Sequence, residues 1–321
     1  MYKLKAKGFT YLKNIIQIIL GSLIVYLIYS YFKKEIVGLN FQKIKYLVLN
    51  LGSLNFLVII IFGLFGIGIL SLYDFFVLSA INVTKKMSKV RIFKISFMTN
   101  TLNMVLGFGG FIGAGLRYYL YKPYTKNSKT LVSAIGMILV SMLSGISLLS
   151  IFVVLNIFPG HDLYDGKNIF YYALVLMSIF LPLYLFIGLR NPKIKNDRYL
   201  CIKLTVISFL EWVLAALLIL LILFMYEGNL IYGKELRIMG VIIIAAISGL
   251  LSMVPGGVGT FDILVLIGLK KLGLNEEMIV ATILLYRLAY YIVPFTIGGI
   301  MFIQESIMVI LKKLSLIDER R

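Results

Sequence analysis

The sequence predicts an all-α, polytopic helix bundle embedded in a lipid bilayer. Of its 321 residues, 60% are hydrophobic, whereas soluble globular proteins are roughly 45–50% apolar. The apolar residues form continuous runs of about 20 residues, which is the length that an α-helix needs to cross a bilayer. These runs lack the apolar–polar alternation of the strands in a membrane barrel.

Six of these runs are predicted to be full membrane spans: 14–32, 56–80, 131–158, 169–189, 200–226 and 278–311. The first run follows a basic N-terminus, but it is too long for the core of a signal peptide and lacks a small-residue cleavage site. We therefore expect it to be a retained span. The last run is longer than a bilayer requires, and we expect it to tilt or to extend past the membrane.

Two further apolar segments, 95–121 and 238–269, contain clusters of residues that break helices. The predicted backbone breaks are Gly107, Gly109, Gly110, Gly113, Gly115, Pro255, Gly256, Gly257 and Gly259. An irregular backbone at membrane depth is tolerated only where protein or a water-filled cavity satisfies its polar groups. The alternative interpretation is close helix packing, since Gly109 and Gly113 form a GxxxG pair. That alternative explains fewer of the glycines around Pro255.

The net charge of +18 lies in short segments between the apolar runs. Basic residues in loops between spans are what the positive-inside rule describes, and they suit an anionic membrane surface. This distribution disfavours nucleic-acid binding. Loops 81–94, 117–129 and 190–203 are strongly basic and are expected in the cytoplasm, whereas 159–168 and 227–237 are expected outside.

With this topology the two broken segments become re-entrant hairpins of opposite orientation. Corresponding interrupted segments in two halves are typical of a transporter site. We therefore expect a single transmembrane domain over 1–321, with pseudo-repeats at about 56–158 and 200–311 and no soluble domain. The basic loop 33–55 falls on the outer side and departs from the rule.

Five ionisable residues within or beside these apolar segments are candidates for a site, because an ionisable residue there costs roughly 2.5–3.5 kcal/mol on insertion scales. They are Asp74, Arg117, Glu211, Asp262 and Arg287. Arginines are suited to a phosphate, because the guanidinium fork matches its oxygens, and carboxylates are suited to a cationic head-group. Two structural alternatives remain open. Asp74 and Arg117 could extend from helix ends to the interface, and Glu211 could form an ion pair with Arg287.

Metal and nucleophile chemistry is poorly supported, because the chain has a single cysteine, Cys201, and a single histidine, His161. These provide neither a zinc set nor a Ser-His-Asp triad. No phosphate-binding G-x-x-x-x-G-K-[ST] loop occurs. We therefore expect no cofactor, no metal and no catalytic residue, and we interpret Cys201 as a small apolar residue near a helix start.

The polar positions and breaks together resemble a known family. The similar stretches are Leu72–Asp74, Gly107–Arg117 (GFGGFIGAGLR), Glu211–Trp212, Pro255–Gly259 followed by Phe261–Asp262, and Leu285–Arg287 followed by Ala289–Tyr291. The chain resembles the transmembrane half of the bacterial lysylphosphatidylglycerol synthase/flippase, the multiple peptide resistance factor family. The similarity extends over nearly the whole chain, and the two glycine motifs in this order are its most specific feature.

The resemblance implies translocation of lysyl-phosphatidylglycerol or a related phospholipid across a bacterial plasma membrane, which contributes to resistance to cationic antimicrobial peptides. It also implies that Asp74, Arg117, Glu211, Asp262 and Arg287 form the lipid path. In the family a C-terminal soluble domain transfers lysine from lysyl-tRNA to phosphatidylglycerol. This chain does not contain that domain, so we expect that it is not an enzyme by itself.

Three alternative functions are compatible with the sequence. The first is a lipid flippase, whose partners are anionic and aminoacylated phospholipids. The second is a phosphatidylglycerol lysyltransferase, alone or with a separate synthase subunit, and only this function would involve a nucleic acid, lysyl-tRNA. The third is a membrane scaffold, which would tolerate loss of Asp262 or Arg287. A homo-oligomer is compatible with all three.

The topology can be tested by cysteine-accessibility labelling on a background that lacks Cys201. We expect both termini and the three basic loops to react only from the cytoplasmic side, because positive charge is retained there. A cysteine at position 126 is the most informative single site, since it follows the first broken segment. Labelling of that cysteine from outside would contradict the inward hairpin.

Overall fold

The computed structural model describes residues 40–106, 110–164, 168–190 and 197–318. Within these ranges every regular element is helical and there is no strand. The predicted fold class, an all-α polytopic bundle, is confirmed. The predicted first span, 14–32, lies outside the described residues.

Twelve α-helices occur in the described ranges. They are α1 (Phe41–Leu49), α2 (Ser53–Ile69), α3 (Ser71–Ala80), α4 (Lys89–Leu106), α5 (Phe111–Tyr121), α6 (Ser128–Val154), α7 (Asn168–Arg190), α8 (Leu200–Ile231), α9 (Glu235–Leu251), α10 (Thr260–Lys271), α11 (Glu276–Arg287) and α12 (Val293–Asp318). A π-helical segment, Leu288–Ile292, joins α11 to α12.

Five helical stretches are long and apolar enough to cross a membrane: Ser53–Ala80, Ser128–Val154, Phe170–Arg190, Leu200–Ile231 and Glu276–Met308. They coincide with the five predicted spans that fall in the described residues. The first consists of α2 and α3, which meet at Leu70, and the last consists of α11, the π-helical segment and most of α12.

The first broken segment is a helical hairpin of α4 and α5, which contact each other. Helix α4 ends at Leu106 and α5 begins at Phe111. Gly110 precedes α5 with a φ of 91°, a left-handed conformation that glycine adopts without the steric cost of a side chain. The predicted breaks Gly107 and Gly109 lie outside the described residues.

Two of the predicted breaks in this segment are wrong, because Gly113 and Gly115 lie inside α5. A Cβ added to Gly113 would lie 3.0 Å from the Cβ of Asn103 on α4, whereas one added to Gly115 would meet nothing within 4 Å. Gly113 therefore serves the close packing of α5 against α4, which was the alternative interpretation of these glycines.

The second broken segment is a hairpin of α9 and α10, which also contact each other. Pro255 begins a single 3₁₀ turn that ends at Gly257. Three glycines have positive φ: 63° at Gly256, 61° at Gly257 and 87° at Gly259. The Gly259 N–H donates to the Asp262 carboxylate over 2.8 Å, so Asp262 caps the start of α10.

A long helical stretch, a broken hairpin and a second long stretch follow one another twice along the chain. The first set is α2–α3, α4–α5 and α6, and the second is α8, α9–α10 and α11–α12. The two sets are interleaved, since α8 contacts α2 and α6 while α12 contacts α4. This element order is what the predicted pseudo-repeats require, and the repeat relation itself stays a prediction.

Helices α6 and α8 approach closely at Gly145. The Ser208 hydroxyl accepts from the Gly145 N–H over 2.8 Å and donates to the Met142 carbonyl over 2.8 Å. The Trp212 indole N–H donates to the same carbonyl over 3.1 Å. Small residues that let two backbones approach are typical of helix packing in membranes.

Gly145→Ala is expected to destabilise the protein by about 1–3 kcal/mol, because its Cβ would lie 2.2 Å from the carbonyl carbon of Ser208. The matched control is Gly136→Ala on the same helix, where nothing lies within 4 Å. That change should be neutral or stabilising, since alanine is the better helix former. Thermal unfolding of the detergent-solubilised variants measures both, and equal melting temperatures would contradict the close approach of α6 and α8.

Candidate functional site

A fully buried ion pair joins the first broken hairpin to the first spanning stretch. Asp74 lies in the first turn of α3 and Arg117 lies on α5, and both side chains are 0% exposed. The Arg117 Nε lies 2.9 Å from one Asp74 oxygen, and its Nη2 lies 3.1 Å from the other. This two-pronged geometry is the strongest form of an arginine–carboxylate contact.

Helix α4 contributes two polar side chains to the same cluster. Ser96 donates a hydrogen bond to Asp74, and Asn100 accepts one from Arg117 Nη2 over 2.7 Å. The two are four residues apart on one helix face, and the Asn100 amide donates to the Ser96 hydroxyl over 3.1 Å. Within the described residues, Arg117 Nη1 and the Tyr121 hydroxyl are buried without a hydrogen-bond partner.

A second ion pair is formed by Asp262 on α10 and Arg287 at the end of α11. The Arg287 Nε and Nη2 lie 3.0 Å and 2.8 Å from the same Asp262 oxygen, while Nη1 donates to the Gly256 carbonyl over 2.6 Å. The side chains are 10% and 13% exposed. Arg287 therefore binds both the cap of α10 and the irregular turn before it.

Aromatic rings surround the Arg287 guanidinium. Its central carbon lies 4.7 Å from the ring centre of Tyr291 and 5.2 Å from that of Phe261. Tyr286 is at 6.0 Å and stacks against Tyr290. Cations are attracted to aromatic faces at such distances. Tyr290 and Tyr291 belong to the π-helical segment, a kind of irregularity that is frequent at functional sites.

Glu211 lies on α8, and the Tyr73 hydroxyl donates to its carboxyl group over 2.9 Å. Among the described residues this is its only hydrogen bond, and no cation forms an ion pair with it. Tyr73 directly precedes Asp74 in the chain, and Tyr290 lies close enough to act electrostatically on Glu211. Glu211 therefore lies between the first ion pair and the tyrosines beside the second.

Neither structural alternative considered for these residues is observed. Asp74 and Arg117 do not extend to an interface, because both are fully buried and bind each other. Glu211 and Arg287 do not pair, because Arg287 binds Asp262 and Glu211 binds Tyr73. Whether the five residues bind lipid stays a prediction.

Ser96 was not identified from the sequence, and Tyr73 and Phe261 were included there only within the stretches of the family resemblance, with no role assigned. Ser96 could have been identified, because it lies four residues before Asn100 in the first broken segment and so shares its helix face. Phe261 and Tyr73 directly precede Asp262 and Asp74, but an aromatic residue beside an acid is too common to indicate a contact.

Two further ion pairs lie at the ends of the hairpins. Arg91, in the first turn of α4, pairs with Glu305 on α12. Arg237, in the first turn of α9, pairs with Asp162 in the segment after α6. Arg91 thus joins the start of the first hairpin to the last long stretch of the second set. Arg237 joins the start of the second hairpin to the segment just beyond α6 in the first set.

No family model matches the chain. Three similar proteins each carry the name phosphatidylglycerol lysyltransferase. One from Staphylococcus haemolyticus (strain JCSC1435) is 37% identical over 290 residues, which is 90% of this chain and 34% of that protein. One from Staphylococcus aureus (strain MSSA476) is 36% identical over 302 residues, 93% of this chain and 34% of that protein. One from Staphylococcus aureus (strain COL) is 38% identical over 271 residues, 84% of this chain and 31% of that protein.

The chain therefore spans about a third of the length of the curated relatives it matches. The resemblance to the transmembrane half of the lysylphosphatidylglycerol synthase/flippase family is confirmed by these similarities. Together with the five apolar helical stretches, they identify a membrane protein.

Asp74→Asn is expected to destabilise the fold by about 3–5 kcal/mol, because it leaves the buried Arg117 charge without its counter-charge. The matched control is Asp162→Asn, in an exposed pair with side chains 42% and 48% exposed, where about 0–1 kcal/mol is expected. Folded yield and thermal unfolding in detergent measure both.

A double variant separates charge from packing at the same place. Asp74→Leu with Arg117→Met should recover most of the lost stability, since apolar residues of similar volume often replace a buried ion pair without cost. A double variant as unstable as Asp74→Asn alone would show that the pair contributes more than mutual neutralisation.

Proposed function

We propose that this chain translocates an aminoacylated phospholipid of the lysyl-phosphatidylglycerol class to the outer leaflet of a bacterial plasma membrane. The names of the relatives support this lipid class, because the activity they state joins a lysyl group to phosphatidylglycerol. The matched part is built from apolar spanning helices and broken hairpins, as expected for movement through a membrane. A more cationic outer surface would repel cationic antimicrobial peptides.

The observation that most strongly supports transport is the pair of broken hairpins, each held by an Asp–Arg pair in the interior. Ionisable residues inside membrane segments are expensive and usually mark a substrate path. Corresponding interrupted segments in two halves are the arrangement of secondary transporters. Here Arg117 and Asp262 lie on the second helix of each hairpin, and their partners lie on spanning stretches.

The chemistry of both pairs suits a zwitterionic or cationic phospholipid. A guanidinium fork fits phosphate oxygens, and Arg117 has one buried nitrogen, Nη1, free of hydrogen bonds to the described residues. The rings around Arg287 also favour an ammonium group. Each arginine is neutralised by an aspartate, so lipid binding exchanges one ionic partner for another and leaves no charge unpaired.

A second candidate is phosphatidylglycerol lysyltransferase activity, which the name of the relatives favours. Because this chain matches only about a third of their length, that name does not assign the transfer reaction to this part. Both proposals place the chain in the plasma membrane with cytoplasmic termini, and phospholipids as its partners. A separate synthase subunit and a homo-oligomer are compatible with either.

Reconstitution distinguishes these functions. The purified chain is placed in vesicles that contain a trace of lysyl-phosphatidylglycerol, and a membrane-impermeant amine reagent measures how fast inner-leaflet lipid becomes reactive. We expect at least a tenfold faster approach to full labelling than in protein-free vesicles. The Asp74→Leu, Arg117→Met variant should fold but lose this acceleration, and Asp162→Asn should keep it.

The competing outcomes are equally specific. Acceleration retained by the folded double variant would contradict a role of Asp74 and Arg117 in the lipid path, whereas no acceleration by the parent chain would favour a scaffold. Vesicles that hold phosphatidylglycerol and are given lysyl-tRNA should yield no lysyl lipid, and robust product from the isolated chain would favour the transferase.

A further inference from the structure

The charges in the membrane interior do not balance. The described interior holds two aspartates and two arginines that neutralise each other as Asp74–Arg117 and Asp262–Arg287. Glu211 is the fifth ionisable group, and it has no basic partner among the described residues. If all five groups were ionised, the polar interior would have an excess charge of −1.

The surroundings of Glu211 offer one hydrogen bond and little positive charge. Tyr73 on α3 donates to it, and Tyr290 of the π-helical segment is close enough to act electrostatically. Arg117 on α5 is the charged group that acts on it, but its charge is already shared with Asp74. Glu211 is half-buried, and the Tyr73 side chain that binds its carboxyl group is fully buried.

The other helices packed against α8 provide no further counter-charge near Glu211. Helix α2 has no charged residue, and α6 and α9 have theirs only in the first turn. Helix α7 is charged only at Arg190. Helix α11 has two acids in its first turn and, at its end, Arg287, which binds Asp262.

A carboxylate without a counter-charge is strongly disfavoured at membrane depth, and the group neutralises in one of two ways. It can hold a proton, or it can bind a cation. The head-group of lysyl-phosphatidylglycerol has one phosphate and two amines, so its net charge at neutral pH is about +1 by their ordinary ionisation. One ionised Glu211 would neutralise that excess.

We infer that Glu211 exchanges a proton for the cationic lipid head-group, so that the chain is a proton–lipid antiporter. When the ammonium group arrives, the Glu211 O–H bond breaks, the proton passes to water and the carboxylate pairs with the ammonium. Release of the lipid on the other side is accompanied by proton uptake from water. The positive charge of Arg117 assists the first step, and Tyr73 positions the carboxyl group.

This exchange rests on the proposed lipid translocation and supplies its driving force. One lipid of charge +1 moving outward against one proton moving inward transfers no net charge. The exchange therefore responds to a pH difference and not to the membrane voltage. A gradient of one pH unit would support about a tenfold ratio of the lipid between leaflets.

The test uses the full chain in vesicles that contain lysyl-phosphatidylglycerol and a trapped pH-sensitive dye. The impermeant amine reagent follows the lipid while the dye follows protons, with the outside made acidic by one unit. We expect lipid to move outward while about one proton per lipid moves inward. Vesicles with phosphatidylglycerol alone should show no such proton entry.

Glu211→Gln replaces the protonated acid by a neutral group of nearly the same shape. We expect folded yield and melting temperature to be unchanged, while proton entry and the response to the gradient fall at least tenfold. Tyr73→Phe keeps the carboxyl group and should retain proton coupling at a reduced rate. Glu277→Gln is the matched control, because Glu277 lies in the first turn of α11 and pairs with Lys43; it should behave as the parent protein.

The outcomes distinguish proton–lipid antiport from the proposed lipid translocation on which it rests. Lipid movement without proton entry, and indifferent to the gradient, would overturn antiport and leave translocation standing. Absence of lipid movement in the parent chain would overturn both. A Glu211→Gln variant that fails to fold would show that the ionised carboxylate holds the structure together, which also overturns the inference.

Discussion

The need to neutralise charge inside a bilayer governs the interior of this protein. Water cannot solvate an ion at that depth, so each buried charge must find a partner within the fold. Arg117 and Asp262 lie on the second helices of the two hairpins, and their partners Asp74 and Arg287 lie on spanning stretches. The ion pairs thus fix where each hairpin lies against the rest of the bundle.

The same requirement explains the polar residues around each pair. Arg117 takes a second acceptor from Asn100, and Asp74 takes a second donor from Ser96. Around the other pair, the Gly256 carbonyl and the Gly259 N–H take part. The irregular turn of the second hairpin has backbone groups that no regular helix pairs, and Arg287 and Asp262 bind two of them. A broken backbone and a buried ion pair therefore stabilise each other.

Much of this fold could be predicted from composition and spacing, because both reflect whether a segment lies in lipid or in water. Five apolar runs become helices, and the unusual segments become hairpins with glycines of positive φ at Gly110 and Gly256. The pairing of acids with bases could not be predicted, since Asp74 and Arg117 are 43 residues apart and only tertiary packing brings them together. Gly113 shows a second limit, because a glycine that permits close packing and one that breaks a helix look the same in sequence.

The two ion pairs at the hairpin starts differ in their access to water, and the difference makes the molecule asymmetric toward dissolved salt. The Arg237–Asp162 side chains are 42% and 48% exposed, whereas those of Arg91 and Glu305 are 29% and 13% exposed. Mobile ions screen exposed charges within about 8–10 Å at physiological strength and reach sheltered ones much less. On the predicted topology the exposed pair is at the outer face, which meets an environment of variable ionic strength. The Arg237–Asp162 contact is therefore expected to weaken at high salt, while the Arg91–Glu305 contact changes less.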